Sequence, residues 1–340
     1  MRSVFFTGFP VAWLAAFSTP VLAGGFEACL LEKMAQAGDE LTLGELRAQC
    51  SPGLETVAAE PTPPALPEAQ PKAQSEALLS QRFANEEKAF NPYAITAHRQ
   101  NYILVASYNQ KTPDSAPYSN DVKSDVPKAK KFEAKFQFSI KVPIHANLFE
   151  GKGALYGGYT QRSFWQFYNK PASAPFRETN YEPEVWYQHK LNLPVLGWNL
   201  SSVALGFNHQ SNGRGHAFSR SWNRIFAAVA MERGQVAMVL RPWWKVREKV
   251  GTDDNPDIEH FMGNFDLNLI GKAGGYTWDL MVRNNLHRHG NRGAVQFGWS
   301  FPLNERVRGY LQWFKGYGES LVDYNHYQNS VSLGVQLTDW

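Results

Sequence analysis

Between Phe132 and Val142 the chain alternates without a break. Phe132, Ala134, Phe136, Phe138, Ile140 and Val142 are apolar, while Glu133, Lys135, Gln137, Ser139 and Lys141 between them are polar. Successive side chains of a β-strand point to opposite faces, so this run has one oily face and one wet face. The same two-residue period returns in the rows Phe261, Phe265, Leu267, Leu269; Tyr276, Trp278, Leu280, Val282; Val295, Phe297, Trp299, Phe301; and Val331, Leu333, Val335, Leu337. Turn-forming clusters separate the rows, among them Lys272-Ala273-Gly274-Gly275 and His289-Gly290-Asn291-Arg292-Gly293. From residue 96 onward the pattern predicts about twelve strands, an even number as bacterial membrane barrels require.

An oily strand face must meet a soluble core or lipid. A secreted β-sandwich is the soluble alternative. Composition favours lipid: aromatic residues make up 14% of the chain with 11 Trp and 27 Gly, yet charged residues are 19%. Alternation lets polar and apolar content cancel, which is the mark of a transmembrane barrel with a polar lumen. The rows are tipped by Phe164-Trp165, Trp186-Tyr187 and Trp243-Trp244, suited to the girdles at the two membrane interfaces. Past the N-terminus no stretch of about 18 apolar residues occurs, which excludes helical spans. The predicted fold is therefore all-β, a transmembrane antiparallel β-barrel of about 12 strands. A formal net charge of +3 gives no case for a nucleic-acid partner.

Residues 1–23 read as a signal peptide: Arg2, an apolar stretch from Val4 to Phe17, and the small-residue site Val21-Leu22-Ala23. Residues 24–92 read as a periplasmic extension, short-helical at first, with a proline-rich linker at about 59–72 that is extended and semi-rigid. The barrel is expected over 93–340. Cys29 and Cys50 both lie in the extension. An exported chain meets an oxidising compartment, which predicts a disulfide between them; two free thiols are the alternative.

The segment from Ser202 to Ser211 places Val203, Leu205, Phe207, His209 and Ser211 on one strand face. A histidine and a serine thus continue a lipid-facing row. On the returning strand Asn223 opens the row Asn223, Ile225, Ala227, Val229, Met231. With both termini periplasmic, the strand ending at Ser211 is the fifth and runs outward, so the three polar groups meet at the outer interface. Polar groups there are costly unless they pair. A serine beside a histidine that is oriented by a third residue is an activated nucleophile. Its position facing the membrane points to acyl esters of phospholipids as substrate. Without that pairing, His209 and Ser211 would be interfacial residues with no chemistry.

These residues carry a family resemblance. The motifs His209-Gln210-Ser211-Asn212-Gly213-Arg214 and Ser219-Arg220-Ser221-Trp222-Asn223-Arg224 resemble those of the outer membrane phospholipase A family of Gram-negative bacteria. So do Tyr159-Thr160-Gln161-Arg162-Ser163, the run Pro175 to Pro183, and Asp254-Asn255-Pro256-Asp257-Ile258. The resemblance implies an outer-membrane phospholipase with Ser211 as nucleophile, His209 as general base and acid, and Asn223 as the orienting member. It implies Ca²⁺ at the interface of a homodimer that is the active form. The matching ligands are the Arg214 carbonyl, the Ser219 side chain and the Ser173 carbonyl of the second subunit. The Ser211 and Gly213 backbone N–H groups match the oxyanion donors, and Gln161 matches a polar residue of the dimer interface. His216 stands where the family can carry an aspartate of a second calcium site, which puts that site in doubt. The competing expectation is an inert, porin-like or structural barrel.

Overall fold

The computed structural model describes residues 77–88, 95–113, 129–172, 174–215, 218–249, 251–305 and 307–338. The signal segment, the linker, Cys29, Cys50 and Trp340 lie outside them. All described residues fall in one compact unit, Ala69–Trp340.

Helix α1 (Leu78–Lys88) comes first, then a two-residue strand β1 (Thr96–Ala97). Twelve strands follow: β2 (Asn101–Asn109), β3 (Phe132–Leu148), β4 (Gly153–Trp165), β5 (Phe176–Val195), β6 (Trp198–Ser211) and β7 (Ser221–Arg233) make one half. The other half is β8 (Val236–Lys245), β9 (Phe265–Ala273), β10 (Tyr276–Asn284), β11 (Gly293–Pro302), β12 (Arg308–Gly316) and β13 (Gln328–Thr338). Each strand pairs antiparallel with its neighbours, β13 pairs with β2 and β3 pairs with both β2 and β4. The ring is therefore closed and no barrel strand has a free edge, the arrangement a backbone needs in hydrocarbon. A short helix α2 (Ile258–Met262) sits between β8 and β9, so Phe261 belongs to it and not to the β9 row.

The predicted alternation is borne out along most of β3, Ala134 being the buried exception on its outer row. On β3, Glu133 is 0% and Lys135 2% exposed, while Phe138 is 50% exposed. The aromatic tips divide, however. Adjacent strand residues must face opposite ways, so Phe164, Trp186 and Trp243 turn inward and are buried, whereas Trp244 faces out. Two of these rings pack with luminal arginines and the third with a histidine: Arg177 lies 4.9 Å from the Phe164 ring centre, Arg224 5.4 Å from that of Trp243, and His98 stacks on Trp186 at 4.6 Å. Half of the expected girdle is thus filling for the lumen. Near the C-terminus the β13–β2 register shifts between Gln336 and Thr338. A strand's phase does not carry through such a bulge.

One end of the barrel has tight turns. Leu196 and Gly197 (φ 50° and 80°) join β5 to β6, and Gly274 and Gly275 (φ 55° and 83°) join β9 to β10. Positive φ at both central residues matches the twist of a two-residue hairpin. The opposite end carries the long connections 212–220, 246–264 and 317–327. Barrels of the outer membrane place short turns in the periplasm and long loops outside, so Ser211 ends its strand at the outer end, as expected.

The lumen is filled. Arg99 makes a forked pair with Glu182 (3.0 Å for each bond), which also accepts from Arg224 and Asn208. Glu184 accepts from Arg241 at 2.8 Å and contacts His98 at 2.5 Å. At the outer mouth the 317–327 loop folds inward. Asp323 pairs with Arg177, Glu319 with Lys135, and Leu321 and Val322 are buried. Removing one partner of such a buried pair strands a charge at a cost of about 3–5 kcal/mol. A cavity of about 310 Å³ remains among these charges.

Helix α1 docks at the periplasmic end, a feature the polar sequence before residue 92 does not disclose. Leu78 and Leu79 are buried against Ala230, Ala237 and Ile270. The orphan N–H groups of its first turn meet Glu232, whose carboxylate accepts from Leu79 N at 2.7 Å and Ser80 N at 3.1 Å. An anion at a helix N-terminus stabilises it by about 0.3–1 kcal/mol, up to about 2 when partly buried. Further along, Glu86 pairs with Lys141 (2.9 Å). Burial would raise the Glu86 carboxyl, but Lys141 and Arg82 outweigh it and hold the group below its ordinary range. That contact stabilises docking at neutral pH and is lost as pH falls through the lowered value. Glu232→Ala is expected to speed amide hydrogen exchange over residues 78–88 by about tenfold, the equivalent of about 1.4 kcal/mol. The barrel strands should keep their protection; equal loss in both would contradict independent docking.

Candidate active site

Strands β6 and β7 pair so that His209 lies directly opposite Asn223 and Ser211 opposite Ser221. Leu205 and Phe207 are exposed on the same face, and Ile225 continues it from Asn223. The polar cluster therefore sits on the outer wall of the barrel at the top of a lipid-facing row. His209 Nδ1 and Asn223 Oδ1 are 2.9 Å apart. An amide oxygen only accepts, so Nδ1 carries the proton and Nε2 keeps its lone pair. Ser211 follows two residues on along the same face, about 7 Å from His209 along the backbone. Among the described residues its hydroxyl has no hydrogen-bond partner, leaving it open to a substrate and to the imidazole. Nucleophile–base contacts commonly tighten only when substrate is bound.

What holds this pair is underneath it. Asn208 and Arg224, the inward neighbours of His209 and Asn223, both bond to Glu182. Gln210 accepts from Trp222 Nε1 at 2.9 Å. Trp222, Phe226, Trp243 and Trp186 form a buried cluster with Ile258 and Met262 behind the site. The backbone that carries the outward pair is pinned by luminal charge on one flank and aromatic packing on the other.

The connection 212–220 leads from Ser211 to the strand that carries Asn223. Gly213 has φ +63°, and a Cβ there would lie 3.1 Å from the Tyr181 ring. Only glycine adopts this conformation without strain while letting the backbone approach a ligand. Ser219 Oγ donates to Asp254 Oδ2 at 2.6 Å, and Ser221 Oγ to the same oxygen at 3.3 Å. Asn255, fully buried, accepts from Ser221 N at 3.0 Å. Asp254 and Asn255 belong to a motif of the sequence that by itself assigns them no role; their place beside Ser219 and Ser221 depends on how the 246–264 loop folds back.

The other expected residues divide as follows. Arg214 and Ser219 lie on this same connection. Ser173 and His216 fall outside the described residues. Gln161 is on the outer face of β4, as expected, and its amide has two partners within its own chain. It accepts from Tyr159 OH at 3.2 Å and donates to Ser163 Oγ at 3.3 Å. Among the described residues no group of three or more His, Cys, Asp or Glu side chains gathers as a metal cluster.

Asn223→Ala tests the orienting role. It strands the Nδ1 proton, at about 1–3 kcal/mol, so activity should fall about ten- to hundredfold with unchanged barrel melting. Asn223→Asp preserves the acceptor and should stay within about tenfold of the parent. Equal activity in all three proteins would show that Asn223 does not orient the histidine.

The fold is that of a membrane-spanning β-barrel, and a hydrogen-bonded histidine–asparagine pair lies beside a serine on its outer wall. Residues 79–337 match the phospholipase A1 family. Phospholipase A1 of Klebsiella pneumoniae is 35% identical over 260 residues, spanning 73% of this chain and 84% of that one. Phospholipase A1 of Escherichia coli K12 is 35% identical over 254 residues (73% and 83%). The solved outer membrane phospholipase A from Escherichia coli superposes with a TM-score of 0.67 at 36% identity, covering 73% of this chain and 93% of that one. An active-site mutant of it, an asparagine changed to alanine, matches at 34%. The outer membrane phospholipase of Salmonella typhi, a dimer with bound calcium, gives 0.69 at 34% identity, covering 75% and 96%. The chain belongs to the phospholipase A1 family: it is an integral outer-membrane ester hydrolase.

Proposed function

We propose that this barrel hydrolyses acyl esters of phospholipids with Ser211 as nucleophile, His209 as general base and acid and Asn223 as the orienting residue. The observation that carries the reading is the His209–Asn223 hydrogen bond on the lipid-facing wall, two residues from a serine that ends the strand. Ser211 Oγ attacks the acyl carbonyl while His209 Nε2 takes its proton. The ester C–O bond then breaks as the same proton passes to the departing glyceryl oxygen. Water, deprotonated by His209, cleaves the acyl-enzyme and releases the fatty acid. Asn223 holds the ring in the one tautomer that leaves Nε2 basic. A neutral amide stabilises the imidazolium less than a carboxylate would. The Gly213 N–H, with that of Ser211, is placed to receive the oxyanion. That an asparagine counts as an active-site residue in the Escherichia coli protein supports the assignment.

The oxygen donors gathered by the 212–220 and 246–264 connections suit calcium. Ser219 Oγ, the Arg214 carbonyl and the Asp254 carboxylate are hard oxygens, the kind Ca²⁺ takes six to eight of. One carboxylate with neutral oxygens is a weak set alone, which fits completion by waters and a carbonyl of Ser173 from a second copy. When bound, calcium would supply positive charge beside the developing oxyanion. A homodimer meeting along the β4 face, where Gln161 lies, is the active form in this reading. The calcium-bound dimer of the Salmonella typhi protein supports it. The porin-like alternative finds no support in a lumen packed with paired charges and covered by the 317–327 loop. Release of fatty acid and lysophospholipid from phospholipid–detergent micelles, followed by mass spectrometry, tests the proposal. No release from a folded, calcium-loaded dimer would return the chain to the inert-barrel reading.

A further inference from the structure

Residues 212–215, which bear the oxyanion donor and the Arg214 carbonyl, have no regular structure, and catalysis needs them fixed to within a fraction of an ångström. We propose that Asn212, anchored from inside the barrel by Glu178, is the positioning residue of that loop. The inference rests on the roles given to Gly213 and Arg214 above.

Asn212 follows the nucleophile, and strand alternation turns its side chain inward, where it is 4% exposed. There all four hydrogen-bonding capacities of the amide are used. Oδ1 accepts from Arg214 N at 3.3 Å and Arg220 N at 3.0 Å. Nδ2 donates to Phe218 O at 2.8 Å and reaches Glu178 Oε2 at 3.5 Å. Its backbone N–H donates to Arg220 O at 3.0 Å. One side chain therefore ties the start of the connection to its end, with Gly213 held in the span between.

Glu178 supplies the fixed point. It is fully buried, and its Oε1 accepts from Asn180 Nδ2 at 2.7 Å and from Val322 N at 3.0 Å, on the loop folded into the mouth. Its Oε2 faces both Asn212 and the Arg214 guanidinium, whose Nε lies 3.5 Å away. Arg214 NH2 also donates to Arg177 O at 2.6 Å. Both ends of the Gly213–Arg214 segment are thereby referred to one buried carboxylate in the barrel wall. A side chain that only stabilised the loop would need no contact with the N–H of Arg214, whose own carbonyl is a proposed metal ligand.

The test compares Asn212→Ala, Asn212→Asp, Glu178→Gln and the pair Asn212→Asp/Glu178→Gln on phospholipid micelles, reading kcat, KM and the Ca²⁺ midpoint. Asn212→Ala should lower kcat at least about 30-fold, leave KM within about threefold and raise the Ca²⁺ midpoint about tenfold, with barrel melting unchanged. Asn212→Asp faces Glu178 with a second carboxylate and should lose as much. The double variant gives the new carboxylate an amide partner and should recover at least about tenfold over Asn212→Asp. If Asn212→Ala fails to fold, Glu178→Gln decides: it should cost at least about fivefold in kcat and move the Ca²⁺ midpoint upward. An Asn212→Ala or Glu178→Gln protein with parental kcat and Ca²⁺ midpoint would overturn the proposal. Ser211→Ala in parallel separates the two readings, since full activity there would remove the catalytic assignment itself.

Discussion

Ser211→Ala is expected to lower fatty-acid release by at least about 10⁴-fold while leaving the barrel's melting and its dimer fraction unchanged. The reason is chemical: with no hydroxyl at that position there is no covalent intermediate, and His209 has no proton to take from the nucleophile. Whatever activity remains would come from oxyanion stabilisation and substrate positioning acting on a stray water. The structural cost is small, because the Ser211 hydroxyl bonds to nothing among the described residues and the site lies at the end of β6. A His209→Ala protein should fall by a comparable factor, and the two losses should not add, since serine and histidine act as one unit. Additive losses would mean that the two residues serve separate steps.

Calcium removal carries the second large effect. Chelation should lower turnover by about 10²–10³-fold, the size seen when one oxyanion stabiliser is lost. Added Ca²⁺ should restore it fully. Mg²⁺ should restore little, because it demands near-ideal octahedral geometry and sheds water reluctantly, whereas the proposed donors are a serine hydroxyl, a backbone carbonyl and a carboxylate on two loops. Ser219→Ala should raise the Ca²⁺ requirement. It also removes the 2.6 Å bond to Asp254, so loop 246–264 should become more exchange-labile at the same time. The barrel should melt at the same temperature with and without the ion, since closed strand ladders, not the loops, hold it. A chelated enzyme with full turnover would remove calcium from the account.

Which features are legible in the sequence depends on which physics leaves a periodic trace. Strand faces do: a period of two sorts Glu133 from Phe138 in the bare sequence, because lipid and lumen demand opposite side chains at successive positions. His209, Ser211 and Asn223 are legible for the same reason, as polar breaks in lipid-facing rows on strands that must pair. The aromatic pairs are half legible. Phe164, Trp186 and Trp243 look like girdle together with their neighbours, yet alternation sends one ring of each pair inward, Phe164 and Trp243 to meet arginine and Trp186 to meet His98. Helix α1 escapes a sequence reading, because two leucines in a polar stretch carry little signal; what fixes it is Glu232, some 150 residues away. The Asp254 contact with Ser219 and the hub at Asn212 are invisible there as geometry, since loop hydrogen bonds to backbone follow no period. Gln161 falls on the outer wall as its row predicts, but its bonds to Tyr159 and Ser163, which use half of the amide's capacity, follow no period and are not legible there.

Labelling with a long-chain alkyl sulfonyl fluoride, mapped by peptide mass spectrometry, tests the central claim most directly. Such a reagent partitions into micelles as the substrate does and traps only a serine activated by a neighbouring base. One modified residue is expected, Ser211, with activity lost in step with labelling and no labelling in a His209→Ala protein. Activity that survives complete modification of Ser211, or inactivation with the label on another residue, would contradict it.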